Sequence, residues 1–123
     1  MAIPRSINIL NPFVILSWFL ISPVWATVPS SDEQSIVIEE GQVFEVCIPI
    51  EKGQTLEFEF DASQEIEFNL HYHRDNLIYF PVPKHKTNAS SGEVVSVITK
   101  DYCLMWRNHK SDETAVNFRY QVK

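Results

Sequence analysis

Apolar and polar residues alternate strictly along three stretches of this chain. In residues 56–61 the apolar side chains occupy even positions and acids occupy odd ones, and the alternation returns in 66–73 and 116–122. Successive side chains of a β-strand point to opposite faces, so this pattern is typical of strands with one face in a core and the other in water. No segment shows the 3.6-residue period of an amphipathic helix. The chain is therefore predicted to be all-β.

Short strands recur at even spacing. Turns are predicted at 51–54 and 75–76, and residues 81–92, rich in Pro, Lys, Ser and Gly, are predicted to form a loop. The candidate strands are 36–38, 42–48, 56–61, 66–73, 77–80, 93–99, 102–106 and 116–122. Seven or eight short strands of this spacing indicate a single antiparallel β-sandwich of jelly-roll type.

The N-terminus has the features of a secretory signal peptide. Arg5 supplies a positive charge, an apolar core follows over 13–21, and Pro23 and the small residue Ala26 complete the pattern. An uncleaved membrane anchor is the alternative, but a spanning helix needs about 20 apolar residues. The predicted organisation is a signal peptide over 1–26, a flexible leader over 27–35 and one domain over 36–123. The expected location is extracytoplasmic, either secreted or periplasmic.

The mature part is small and acidic. Removing 26 of 123 residues leaves 97, enough for one modest core, and loss of Arg5 takes the formal charge from −6 to −7. An acidic domain is a poor candidate for nucleic acid or for an anionic membrane surface. No second apolar stretch is long enough to cross a membrane.

The mature part contains two cysteines, Cys47 and Cys103. An even count in a small exported domain favours a disulfide, and two free buried thiols are the alternative. A bridge across a loop of about 56 residues contributes up to about 4 kcal/mol in the chain-entropy model.

Six segments, in order, follow the pattern of a known family. They are Cys47, 53–56, 58–60, 66–70, 102–108 and 116–120. Together they resemble the GOLD domain, a β-sandwich of cargo receptors in the early secretory pathway and of some lipid-transfer proteins. The bacterial pre-peptidase C-terminal domain has a similar outline. The resemblance implies a β-sandwich that serves as a binding adaptor.

The resemblance also bears on the cysteines. Relative to the cargo receptors, Cys47 is displaced forward by about two residues and Cys103 backward by about two. The residue numbers of paired residues on two antiparallel strands add up to a constant. Two shifts of equal size in opposite directions therefore keep the cysteines paired and leave each on the same face of its strand. The resemblance therefore implies that Cys47 faces Cys103.

Two histidines form a candidate metal site. His71 and His73 are two residues apart and so share one face of a strand. Glu67, His85 or His109 are the candidates to complete a coordination shell. The alternative is that both imidazoles are ordinary solvent-facing side chains.

Three aromatic residues lie beside proline-rich or polar loops and are candidate interface anchors: Tyr79, Phe80 and Trp106. For Trp106 a place in the core is the favoured interpretation. The sequon Asn88-Ala89-Ser90 is a glycosylation acceptor only in a eukaryotic host.

No catalytic constellation is present in the sequence. Ser90, Ser91 and Ser96 lie in no strand–turn–helix elbow, and bridged cysteines are not nucleophiles. No catalytic residue and no cofactor are predicted. The leading hypothesis is an exported, non-catalytic binding module whose partner is another protein. The alternative is an exported protein that binds a metal or small ligand through His71 and His73.

Overall fold

The computed structural model describes residues 32–123, and strands are the regular structure of this part of the chain. The strands are β1 (Gln34–Ile38), β2 (Val43–Ile50), β3 (Thr55–Arg74), β4 (Leu77–Val95), β5 (Lys100–Arg107) and β6 (Thr114–Val122). The predicted signal peptide and most of the predicted leader lie outside the described residues. Across 32–123, no helix has the length and apolarity that a membrane crossing requires.

All six strands belong to one antiparallel sheet that curls into a half-barrel. The order is β1-β6-β3-β5-β2, and β4 pairs with the other edge of β3. β3 is the central strand, because β6 covers its first half and β5 its second half on one edge. The predicted all-β class is confirmed. The expected sandwich of seven or eight strands is not confirmed, since the described chain has six.

β3 unites two predicted strands. Residues 56–61 and 66–73 belong to one continuous strand, whose pairing with β4 shifts register between Asp61 and Ile66. Phe60 and Ile66 are both even-numbered and both buried, so the irregular stretch returns the apolar side chains to the same face. The predicted break between two strands is therefore a bend within one strand.

The predicted loop over 81–92 is wrong, because these residues belong to β4. β4 pairs with β3 alone, so its other edge has no strand partner among residues 32–123. Pro81 and Pro83 lack an N–H group, and an edge strand tolerates them because its outer N–H groups need no ladder partner. Lys84 and Lys86 are also typical of an exposed edge. At the far end, β4 stops at Val95, short of the predicted strand end at residue 99.

The core lies on the concave face of the sheet. Trp106 is at its centre, and its ring packs against Phe44, Phe60, Phe68 and Phe118 at centroid distances of 4.9–6.1 Å. The predicted core faces are confirmed for the even-numbered apolar residues of β3 and for the first half of β6. The buried apolar residues are Ile38, Ile48, Ile50, Leu56, Phe58, Phe60, Ile66, Phe68, Leu70, Tyr72, Tyr102, Cys103, Leu104, Trp106, Val116 and Phe118.

A disulfide joins Cys47 of β2 to Cys103 of β5, as predicted. The two residues are direct partners in the β2–β5 register, with Cα atoms 4.0 Å apart. The predicted turn at 51–54 is also confirmed, with the Gln54 N–H donating to the Glu51 carbonyl at 3.0 Å.

Candidate functional site

The β3–β4 hairpin tip, residues 72–80, carries four consecutive exposed apolar side chains. Leu77, Ile78, Tyr79 and Phe80 are 59%, 50%, 40% and 37% exposed. They account for half of the eight large apolar side chains exposed in residues 32–123. Side chains of a strand alternate between its faces, so these four form two pairs on opposite faces of the hairpin. Single exposed apolar residues are normal, whereas a cluster of them is a candidate interaction surface.

The topology explains why consecutive residues are all exposed. The register between β3 and β5 ends at His71 and Cys103, so beyond this point β3 pairs only with β4. Beyond the buried Tyr72 the hairpin tip is therefore a two-stranded ribbon, and residues 73–80 are exposed on both of its faces. The sequence suggested Tyr79 and Phe80 as anchors, and the structure adds Leu77 on the face of Tyr79 and Ile78 on the face of Phe80.

A tight turn and a ring stack hold the hairpin tip in place. Asp75 and Asn76 form the two-residue turn with φ of 51° and 63°, the left-handed geometry that suits the twist of a hairpin. The ring of Tyr79 stacks on Tyr72 at 5.2 Å with an interplanar angle of 9°. Tyr72 is itself buried against Tyr102. Tyr79 is thus held by a side chain that belongs to the core.

Phe80 lies at the end of the hairpin tip that is nearest the body of the sheet. Its ring centroid is 5.9 Å from that of His71, and the Lys84 ammonium lies 5.6 Å from the ring, within cation–π range. The exposed Lys84 places a positive charge beside Phe80, whereas Arg74 Nε lies 3.5 Å from Asp75 Oδ2, an ion pair that offsets its charge.

Trp106 does not belong to this surface. Its side chain is 1% exposed, so the prediction of Trp106 as an interface anchor is wrong and the core alternative is correct. On β5 it shares the core-facing side with Leu104, two residues away. Its indole Nε1 has no hydrogen-bond partner within the described structure.

His71 is buried on the convex face, contrary to the expectation of a solvent-facing imidazole. It is 5% exposed, and its Nδ1 is 2.7 Å from Asn69 Oδ1 while its Nε2 is 3.1 Å from Glu45 Oε1. Cys103 is its direct partner on β5, and Phe80 flanks it on the β4 side. Burial lowers the pKa of His71, and the nearby Glu45 carboxylate opposes this in part.

The predicted metal pair is only partly assembled. The rings of His71 and His73 meet edge to face at 5.2 Å, but both nitrogens of His71 already face Asn69 and Glu45, and His73 is exposed. Metal binding by this histidine pair stays a prediction.

The residues suggested to complete that shell lie elsewhere. His109 Nε2 is 3.2 Å from Glu67 Oε1, and His85 Nδ1 is 2.8 Å from the Pro83 carbonyl oxygen. The ligand atoms that converge belong to Glu45, His71 and Cys103, all within 4.8 Å of one another. The sequence reasoning missed Glu45. Its position two residues before Cys47, on the same face of β2, was the available signal.

The acidic face of β3 is largely neutralised. Arg119 of β6 forms an ion pair with Glu59, and Lys123 Nζ lies 2.5 Å from Glu57 Oε1. The hydrogen bond from Lys123, followed by one from Glu93, lowers the pKa of Glu57. An open groove of about 460 Å³ on this face is lined by Glu59, Arg119 and their neighbours on β3, β4 and β6. The paired charges fit a wet outer face better than a bare cation site.

Comparison with known proteins identifies the fold but no family. No family model and no curated protein matches the chain. It is similar to the crystal structure of Aeromonas hydrophila PliG, a periplasmic lysozyme inhibitor of g-type lysozyme, at 10% identity over 75% of this chain and 87% of that chain, with a TM-score of 0.56. It is also similar to the crystal structure of PirA, at 14% identity over 72% and 93% of the two chains, with a TM-score of 0.53.

At these identities the likeness shows the fold alone. Neither of these structures is a GOLD domain or a pre-peptidase C-terminal domain, so that resemblance stays a prediction.

Proposed function

We propose that this protein is a non-catalytic module that binds another protein outside the cytoplasm, with the β3–β4 hairpin tip as its contact surface. The observation that carries the proposal is the run of four exposed apolar side chains, Leu77 to Phe80. Aromatic residues are enriched in the centres of protein interfaces, where they supply most of the binding energy.

The rigidity of the hairpin tip supports the proposal. Tyr79 is stacked on the buried Tyr72, and the two-residue turn leaves the ribbon little freedom. A surface already ordered before binding loses less conformational entropy in the complex. The flanking cation Lys84 matches a partner whose apolar pocket has an acidic rim.

The proposed compartment and the proposed class of partner are supported by different observations. The Cys47–Cys103 bridge suits an oxidising compartment, and the predicted signal peptide agrees with it. The fold is shared with PliG, which inhibits g-type lysozyme, so a g-type lysozyme is the first partner to test.

The test compares two serine double variants. Tyr79→Ser/Phe80→Ser removes both aromatic anchors of the hairpin tip, while Val95→Ser/Val97→Ser removes two apolar side chains of 60% and 67% exposure elsewhere. Each protein is titrated into g-type lysozyme by calorimetry, and each is used as bait in the native extracytoplasmic fraction. Any partner captured in this way is then purified and titrated in turn.

We expect the wild type and the valine control to bind one partner with equal affinity. We expect the hairpin-tip variant to bind it about 30-fold or more weakly, the scale of a lost interface hot spot. A partner that binds the hairpin-tip variant as tightly as the wild type contradicts the proposal.

Self-association is the competing use of the same surface. Sedimentation of the purified wild type over a range of concentrations measures it. A dimer that Tyr79→Ser/Phe80→Ser abolishes would assign the hairpin tip to a second copy of this chain rather than to a different protein.

A further inference from the structure

The convex face holds a group of four side chains next to the hairpin tip. We define the His71 cluster as Glu45, Cys47, His71 and Cys103. Glu45 and Cys47 share one face of β2, Cys103 faces Cys47 from β5, and His71 faces Cys103 from β3. The register of three adjacent strands therefore places all four side chains on one face of the sheet.

The distances within the His71 cluster approach those of a metal site. The Glu45 oxygen, the His71 nitrogen and Cys103 Sγ lie within 4.8 Å of one another, and His71 Nε2 is 3.1 Å from Glu45 Oε1. Zinc–ligand bonds of about 2.0–2.3 Å place tetrahedral ligand atoms roughly 3.3–3.8 Å apart. Small side-chain movements would bring the three atoms to that spacing, and Cys47 Sγ is bonded to one of them.

Asn69 orients His71 in the manner of an outer-shell residue. Its Oδ1 lies 2.7 Å from His71 Nδ1, and in the tautomer that carries the proton on Nδ1 it accepts that proton and leaves the Nε2 lone pair directed toward Glu45. Metal-binding histidines commonly have this kind of partner on the second ring nitrogen. Because a neutral imidazole carries one N–H, it cannot donate to oxygens at both nitrogens. A cation between Nε2 and the carboxylate would resolve that conflict.

We propose that reduction of the Cys47–Cys103 bridge converts the His71 cluster into a site for one divalent ion of the zinc class. A dithiol reductant supplies two electrons and two protons to the disulfide and is itself oxidised to a disulfide, which leaves two thiols. The ion then displaces both thiol protons and is bound by two thiolates, His71 Nε2 and the Glu45 carboxylate. Reoxidation of the thiols expels the ion. Thiolate and imidazole ligands favour zinc or cobalt over magnesium or calcium.

Cobalt binding tests the proposal on the full chain. The protein is reduced with a phosphine, which is oxidised to its phosphine oxide and provides no competing thiolate, and is then titrated with Co²⁺. We expect one ion per chain, with thiolate-to-cobalt charge-transfer absorption and the visible bands of tetrahedral cobalt, in the reduced protein alone. We expect His71→Gln to weaken binding about tenfold or more. We expect His109→Gln, at an exposed histidine that pairs with Glu67 outside the His71 cluster, to bind as the wild type does.

A redox measurement covers the case in which a variant or the reduced protein loses its fold. Each protein is equilibrated in glutathione buffers with and without Zn²⁺, and free thiols are alkylated and counted by mass spectrometry. We expect zinc to raise the reduced fraction of the wild type and of His109→Gln, and to raise that of His71→Gln much less. A zinc effect that is absent from the wild type, or equal in wild type and His71→Gln, overturns the proposal, because unstructured thiols bind zinc without His71.

Discussion

β3 and β4 have nearly the same length and pair with each other, yet they differ completely in burial. Nine of the 20 residues of β3 are buried and none of the 19 residues of β4 is. β3 has strand partners on both edges and directs one face into the core, whereas β4 pairs on one edge and projects at the hairpin tip. The comparison shows that β4 stays extended through its pairing with the well-packed β3, although only a few of its residues, such as Val82 and Val94, pack partly against the core.

The largest expected effect contrasts one phenylalanine from each strand. Phe68 of β3 is fully buried against Phe58, Phe60 and Trp106, while Phe80 of β4 is 37% exposed. We expect Phe68→Ala to lower the free energy of unfolding by about 3–5 kcal/mol and Phe80→Ala by less than about 1 kcal/mol. Equilibrium urea unfolding measures both. Equal losses would mean that β4 contributes to the core as much as β3 does.

The disulfide strengthens the side of the sheet that lies away from β4. It joins β2 to β5 across a sequence separation of 56 residues. We expect Cys47→Ser/Cys103→Ser to lower the free energy of unfolding by up to about 4 kcal/mol. Amide hydrogen exchange should become faster in β2 and β5 than the loss of overall stability alone explains, whereas in β4 it should rise only as much as that loss explains. A greater loss of protection from exchange in β4 than in β2 would contradict the assignment of the disulfide's effect to β2 and β5.

Gly92 is a position in β4 whose small size matters to the core. A Cβ atom there would lie 3.0 Å from Cζ and 3.2 Å from Cε1 of the Phe58 ring. We expect Gly92→Ala to destabilise the fold by about 1 kcal/mol net, because displacement of the ring outweighs the lower entropy of the unfolded chain. Ser91→Ala, the exposed neighbour, should be nearly neutral in the same thermal unfolding measurement. A stabilised Gly92→Ala variant would show that the ring moves freely.

The smallest effect concerns charge where β3 and β4 face each other. Glu57 and Glu93 are direct cross-strand partners, and Lys123 donates a hydrogen bond to Glu57. Since the folded pKa of Glu57 is lowered, its contribution to stability is present above the unfolded pKa and is lost as the pH falls through the folded value. We expect Glu57→Gln to be slightly less stable than the wild type at neutral pH and to converge with it in acid. A difference in stability between Glu57→Gln and the wild type that widens in acid would contradict a lowered pKa of Glu57.

Regular alternation made β3 and β6 predictable from the sequence, including their core faces. The turn at Asp75 and Asn76 was also predictable, because turn residues act locally. The pairing of Cys47 with Cys103 was predictable because two cysteines in a small exported domain favour a disulfide. β4 was not predictable over 81–92, since nothing in Pro81 to Gly92 alternates and its extended form depends on hydrogen bonds from β3.

The candidate site was predicted only in part. Tyr79 and Phe80 were recognised as candidate anchors. Trp106 was named with them although a place in the core was favoured for it, because all three lie beside polar or proline-rich segments. The burial of His71 depends on Cys103 and Phe80, and its partner Glu45 lies 26 positions away in the sequence. No local pattern reports such neighbours.

The sequence by itself determined the β-class, the core-facing positions of β3 and β6, the hairpin turn and the cysteine pair, because side-chain alternation and turn chemistry act over a few residues. Only the tertiary structure decided that β4 is a strand, that the hairpin tip exposes both faces, and that His71 is buried beside the disulfide. These features depend on which strands become neighbours, and that choice follows from the packing of the whole sheet.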